Sequence, residues 1–172
     1  RLPDQDRLVK DALTGLEPGL YDPEYESISP DERLLMASRG MDMGASLPEG
    51  LEIISWECEY GDNIDDNFIC DSLGTQARHT ETSFSISSEV MLEDQSGRKY
   101  SGFWWDNSPF RENFRPEECA KIALKSAIER VGAEKSKSAV TNMIVDRSAA
   151  SRFIGPILNS LFGMSIQQKS SF

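Results

Sequence analysis

The chain has 172 residues, enough for one domain or a domain with part of a neighbour. Apolar residues make up 38% and charged residues 27%, so a real core is available and wholesale disorder is excluded. Lys and Arg number 18 against 29 Asp and Glu, a net charge of −11 that argues against binding nucleic-acid backbones or anionic membrane surfaces, both of which reward basic side chains.

In chain order, residues 4–13 set Leu8, Val9, Ala12 and Leu13 at helical spacing, with Gly15 as a stop. Leu16 to Ser29 carries Pro18, Gly19 and Pro23 and reads as an extended connector. Ser29-Pro30-Asp31-Glu32 is a helix start, with Ser29 as N-cap, Pro30 at the first helical position and Glu32 completing a capping box. Gly40 and Gly44 weaken that helix, and Pro48-Glu49-Gly50 ends the segment.

The period then changes to two. Ile54, Trp56, Cys58 and Tyr60 alternate with Ser55, Glu57 and Glu59 as a first strand. Gly61-Asp62-Asn63 reads as a turn, Asn67 to Cys70 as a short second strand, and Asp71-Ser72-Leu73-Gly74 as another turn. Residues 76–93 predict a long third strand, with Phe84, Ile86, Ser88, Val90 and Leu92 on one face and Ser83, Ser85, Ser87, Glu89 and Glu93 on the other. After a turn at Asp94-Gln95-Ser96-Gly97, a fourth strand over 98–105 carries Tyr100, Phe103, Trp104 and Trp105.

Pro116-Glu117-Glu118 opens a helix with an apolar stripe of Ala120, Leu124, Ala127, Ile128 and Val131, and Gly132 is the candidate cap. Val140–Val145 predicts a fifth strand, and Ala149–Leu161 a last helix, kinked at Pro156 or starting after it. Ser165 to Phe172 reads as the beginning of a strand. Strands that run together rather than alternating with helices give an α+β fold, an antiparallel meander with packed helices. The expected organisation is 1–50 as the helical end of an N-terminal domain with its connector, and 51–172 as an α+β domain truncated at its C-terminal end. The start at Arg1 and the stop at Phe172 are expected to be fragment ends.

No apolar run approaches the roughly 20 residues that span a bilayer, and the N-terminus lacks the order of a signal peptide. Cys58, Cys70 and Cys119 form no disulfide framework or C-x-x-C pair, and such free thiols point to the cytoplasm. A single histidine, His79, excludes any two-His zinc motif within the chain. As a catalytic base His79 would need a nucleophile or carboxylate that the sequence does not name; the plainer reading is a solvent-facing strand histidine. Asp62, Asp65 and Asp66 offer oxygen ligands but lack the order and closing Glu of a calcium loop, so a solvated turn is the better reading. The aromatics of the fourth strand could stack on bases, yet no basic groove accompanies them; core on one face and interface on the other fits better. Phosphate loops and a G-x-S-x-G elbow are absent. The residues by themselves describe an α+β domain without visible catalytic machinery.

Several ordered stretches resemble the TldD/PmbA family, known as modulators of DNA gyrase and peptide-maturation metalloproteases. They are Asp71-Ser72-Leu73-Gly74, which stands where the family has Asn-Ser-x-Gly; the Thr/Ser-rich run Thr82 to Ser87; Ser101-Gly102-Phe103-Trp104; Pro116-Glu117-Glu118 with Ala123, Ala127 and Val131-Gly132-Ala133; Val145-Asp146 through Leu161; and Gln168-Lys169-Ser170-Ser171-Phe172. The resemblance runs from about Leu20 to the end. In the catalytic kind of subunit the helix corresponding to Arg152–Leu161 carries H-E-x-x-x-H, suited to zinc and an activated water. Here the histidine positions fall on Gly155 and Ser160 and the glutamate position on Pro156. The resemblance therefore implies the PmbA (TldE) kind of subunit, with no catalytic residue, metal ligand or cofactor of its own. Its implied partner is a TldD-like catalytic subunit that holds the zinc, in a bacterial cytoplasmic heterodimer that cleaves unfolded peptides, including leader peptides and antitoxins. The gyrase label does not require DNA binding, in keeping with the charge of −11. Lys169, Ser170, Ser171 and Phe172 are the candidate peptide- or partner-binding stretch, against the plainer reading of a strand that continues the sheet. Two rivals stay open: a stand-alone peptide- or protein-binding module, and an enzyme whose residues lie beyond Phe172.

Overall fold

A computed structural model describes residues 18–42, 46–70, 72, 74 and 76–170. The expected helix over 4–13 lies outside them. The regular elements are α1 (Pro30–Arg39), β1 (Leu51–Cys70), β2 (Gln76–Asp94), β3 (Lys99–Ser108), α2 (Pro116–Glu129), α3 (Ala150–Ser160) and α4 (Gly163–Gln167). The strands form an antiparallel sheet in the order β1-β2-β3, so the fold is α+β. The described residues divide into two compact units that part between Ala133 and Glu134. Helix α1 packs against β1 and α2 within the first unit.

Helix α1 begins as its sequence dictates. The Ser29 hydroxyl accepts from the Glu32 amide at 3.3 Å, and the Glu32 carboxylate accepts from the Ser29 amide at 2.9 Å. These bonds satisfy amides that a helix start otherwise leaves without partners. The other Glu32 oxygen takes Arg111 at 2.9 Å. The Ser29 amide first, then Arg111, hold the Glu32 carboxyl down to about 2.

The sheet has three strands where the sequence suggested four in its meander. Gly61-Asp62-Asn63 is no turn: β1 runs through it, and Gly61, Asp62 and Asn63 lie opposite Ser85, Phe84 and Ser83. Cross-strand pairing with β2 overrides the local turn preference of Gly, Asp and Asn. A bulge between Ile53 and Ser55 leaves Ile54 without a cross-strand partner and 41% exposed. The inward set of β1 is therefore Leu51 and Ile53, then Trp56, Cys58 and Tyr60, rather than one alternation from Ile54. Strand β2 alternates as its sequence reads: Phe84, Ile86, Ser88, Val90 and Leu92 are all buried. Buried Ser88 is satisfied by the indole of Trp56, which donates to its hydroxyl at 2.8 Å.

Helix α2 starts at Pro116 and lays Cys119, Ala120, Ala123, Leu124 and Ala127 on the inner face of β2 and β3. Gly102 lets it come close: a Cβ there would lie 2.0 Å from the Ala123 carbonyl oxygen. The core has two parts, one around Phe84, Ile86 and Phe114 and one around Val90, Leu92 and Leu124, with Trp104 packed against both.

In the second unit, Val140–Val145 has no regular structure, contrary to the fifth strand expected there. Val140 and Ile144 are fully exposed and pair with no strand among the described residues, so an apolar run alone builds no β structure. Helix α3 starts at Ala150 and runs through Pro156, so it does not begin after the proline. Residues 165–170 are not a strand either. Ser165–Gln167 belong to α4, whose end turns through Lys169 at φ 55°.

Candidate functional site

Gly155, Pro156 and Ser160, which the resemblance sets against the zinc motif, lie together on α3, but their chemistry does not suit a metal. Gly155 has no side chain, Pro156 no donor, and the Ser160 hydroxyl donates to the Ile157 carbonyl at 2.7 Å within its own helix. Among the described residues no three His, Cys, Asp or Glu side chains converge on a metal position. Lys169 and Ser170 close the C-terminal turn of α4: the Ser170 amide donates to the Ser165 carbonyl at 2.9 Å. Ser171 and Phe172 lie outside the described residues. His79 sits on β2 with its Nε2 3.2 Å from Glu81.

The three aspartates of β1 do not gather. Strand alternation sends Asp62 and Asp66 to one face and Asp65 to the other. Asp62 binds Arg33 at 2.8 Å and the Tyr25 hydroxyl at 2.7 Å. Burial pushes the Asp62 carboxyl up, but the bonds from Arg33 and Tyr25 outweigh it and hold the carboxyl below its ordinary value. Asp66 pairs with Arg78 through two contacts of 2.8 Å, beside a cleft of about 670 Å³ that Gly19, Tyr21, Glu26 and Ile64 also line. Asp66 and Arg78 neutralise each other there, which leaves Glu26 as the remaining charged side chain that lines the cleft.

The edge of β3, which pairs with no further strand among the described residues, is different. Phe103 and Trp105 project from the outer face at 51% and 57% exposure, and Glu89 and Ser87 of β2 lie directly opposite them. On the inner face, Trp104 and Asp106 meet the first turns of α2 in a cleft of about 330 Å³, completed by Arg115, Glu118, Cys119 and Ile122. No β1 or β2 side chain lines this cleft, so it belongs to the β3 side of the sheet. Arg115 turns its guanidinium to the backbone, donating to the Phe114 carbonyl at 3.1 Å and to the Glu112 carbonyl. Asp106 and Glu118 take no hydrogen bond or ion pair among the described residues. Burial pushes the Cys119 thiol up to about 11, so at neutral pH it is protonated and no nucleophile. Toward the other end of β3, Arg130 donates to the Ser101 carbonyl, which leaves Phe103–Asn107 as the open stretch. The arrangement offers backbone pairing at an edge, aromatic surface on both faces and two carboxylates beneath, but no bond-breaking group.

Sequence reasoning found the aromatics and expected core on one face of their strand and an interface on the other, without saying which residue faces which way. It missed Asp106 and Glu118. Their one sequence signal is an acidic residue two places after Trp104 and another in the first turn of the next helix, too common a pattern to single out.

A family model described as PmbA/TldA metallopeptidase central domain matches residues 23–131. A comparison with curated proteins found no match. Among solved structures, a protein of Bacteroides thetaiotaomicron provisionally named a modulator of DNA gyrase aligns with a TM-score of 0.79 and 26% identity, over 91% of this chain and 36% of that one. A Thermotoga maritima protein with the same provisional name aligns with a TM-score of 0.63 at 22% identity, over 72% of this chain and 28% of that one, and shows the shared fold. The chain thus spans about a third of the length of these structural relatives.

Proposed function

The chain belongs to the PmbA/TldD family of metallopeptidases and carries its central domain, and from that premise we propose that it serves the non-catalytic, PmbA (TldE) kind of subunit. The observation that carries this reading is the trio Gly155, Pro156 and Ser160, which offers neither imidazole nor carboxylate at the positions where a catalytic subunit would hold zinc. In this proposal the zinc and the activated water belong to a TldD-like partner in a cytoplasmic heterodimer. This subunit's share of the work is to hold an unfolded peptide, such as a leader peptide or antitoxin, in extended form.

The open stretch of β3 supports that share. An extended peptide laid along it gains main-chain hydrogen bonds whatever its sequence, while alternate side chains settle on the two faces of the sheet. Nucleic acid fits less well, since the chain has 29 acidic against 18 basic residues. No helix among the described residues is long and apolar enough to cross a membrane.

The test is a pull-down of tagged full-length protein from its native lysate, with mass spectrometry and zinc analysis. The expected result is a chain carrying H-E-x-x-x-H at near one-to-one stoichiometry, with the zinc in that chain. Recovery of this protein alone would favour a stand-alone peptide-binding module, and one tightly bound zinc in this chain would sink the non-catalytic assignment.

A further inference from the structure

We propose that the β3 edge selects strands carrying a Lys or Arg side chain on the face turned toward α2; this rests on the strand-addition reading above. A strand added beside Phe103–Asn107 places alternate residues on the inner face, next to Trp104 and Asp106, within the usual reach of cross-strand neighbours. Those residues enter the cleft under α2. Its apolar wall, Trp104 and Ile122, suits the methylene stem of a long side chain, and the Trp104 ring favours a cation. Its carboxylates, Asp106 and Glu118, bond no other group among the described residues, so they are available to an incoming ammonium or guanidinium. The cleft's own cation, Arg115, is turned to the carbonyls of Glu112 and Phe114. An acidic inward side chain would meet two carboxylates and be repelled, and a neutral one would leave both unpaired.

The outer face has the same sign. Glu89 lies opposite Phe103, and Glu57 and Glu59 of β1 continue the rows of Phe103 and Trp105 across the sheet. Lys99 is the one basic residue of β3, and it lies 3.9 Å from Glu93. A strand with basic residues on either face therefore meets complementary charge.

The test uses full-length protein and three fluorescein-labelled eight-residue peptides built on alternating Val and Thr, identical except for Lys, Gln or Glu at the two central inward positions. Anisotropy titrations at low salt are expected to give the Lys peptide about tenfold tighter binding than the Gln peptide, and the Glu peptide weaker than either. In Asp106→Asn/Glu118→Gln protein the Lys-to-Gln ratio should fall close to one, and near-ultraviolet circular dichroism confirms that the variant is folded. Equal binding of all three peptides to unaltered protein would overturn the selectivity and leave strand addition standing. A Lys preference that persists in the double variant would also overturn it. Binding of none of the peptides would overturn both readings.

Discussion

The Asp62 carboxylate joins three parts of the chain: the connector through Tyr25, α1 through Arg33, and its own strand β1. Its side chain is 8% exposed, so the charge is held in a site where solvent screens it little. Replacing it in Asp62→Ala leaves the Tyr25 hydroxyl and the Arg33 Nε without the acceptor they share, while Arg33 keeps its bond to the Ile28 carbonyl, and should cost about 2 kcal/mol at pH 7 in urea unfolding. The folded carboxyl lies below its ordinary value of 3.8, so its stabilisation is complete above that value and is lost as pH falls through the folded value. The gap between unaltered and Asp62→Ala protein should therefore hold from pH 7 to about pH 5 and shrink in more acid solution. A gap that does not change with pH would mean that packing, not ionisation, carries the effect. The role of Asp62 was not legible in the sequence, where Gly61 and Asn63 make it look like a turn residue. Its partners lie 29 and 37 residues away, a separation no local pattern reveals.

At the scale of elements, the packing of α2 on β3 depends on Gly102. A methyl group there meets the backbone of the helix, Ala123 oxygen at 2.0 Å and Ala127 nitrogen at 2.5 Å, and neither can swing aside as a side-chain tip could. Gly102→Ala should destabilise by about 1–3 kcal/mol in thermal unfolding, the usual cost of overpacking. Gly61→Ala is the control: its nearest neighbour is the Ser85 hydroxyl at 3.3 Å, and its effect should stay within about 0.5 kcal/mol. The elements that the sequence revealed are those with a local cause. The Ser29 cap fixed the start of α1, the strict alternation of β2 fixed its buried face, and Pro116 fixed the start of α2. Those misread depend on distant partners. The union of 51–60 with 61–70 into one strand comes from β2, while Val140–Val145 has the composition of a strand and no strand beside it among the described residues.

For the whole molecule, sheet order decides what the surface can do. The composition and the aromatic run of the fourth strand were visible from the outset, and so was an interface on one face. Which strand would stand at an edge was not, because that follows from the pairing β1-β2-β3. Among the described residues the same order leaves β1 at the other edge along its full 20 residues. Glu52, Glu57, Glu59, Asp62, Asp65 and Asp66 all lie in it, and it contains no Lys, Arg or His. Two copies of this strand set side by side would bring carboxylates against carboxylates, so the charge keeps an exposed template from seeding ordered aggregates of its own kind. Substituting both Glu57 and Glu59 by Gln should shorten the lag before thioflavin-positive fibrils form at pH 7, and an unchanged lag would show that something other than charge guards the edge. The surplus of acid is then colloidal protection, and it costs the fold no core residue.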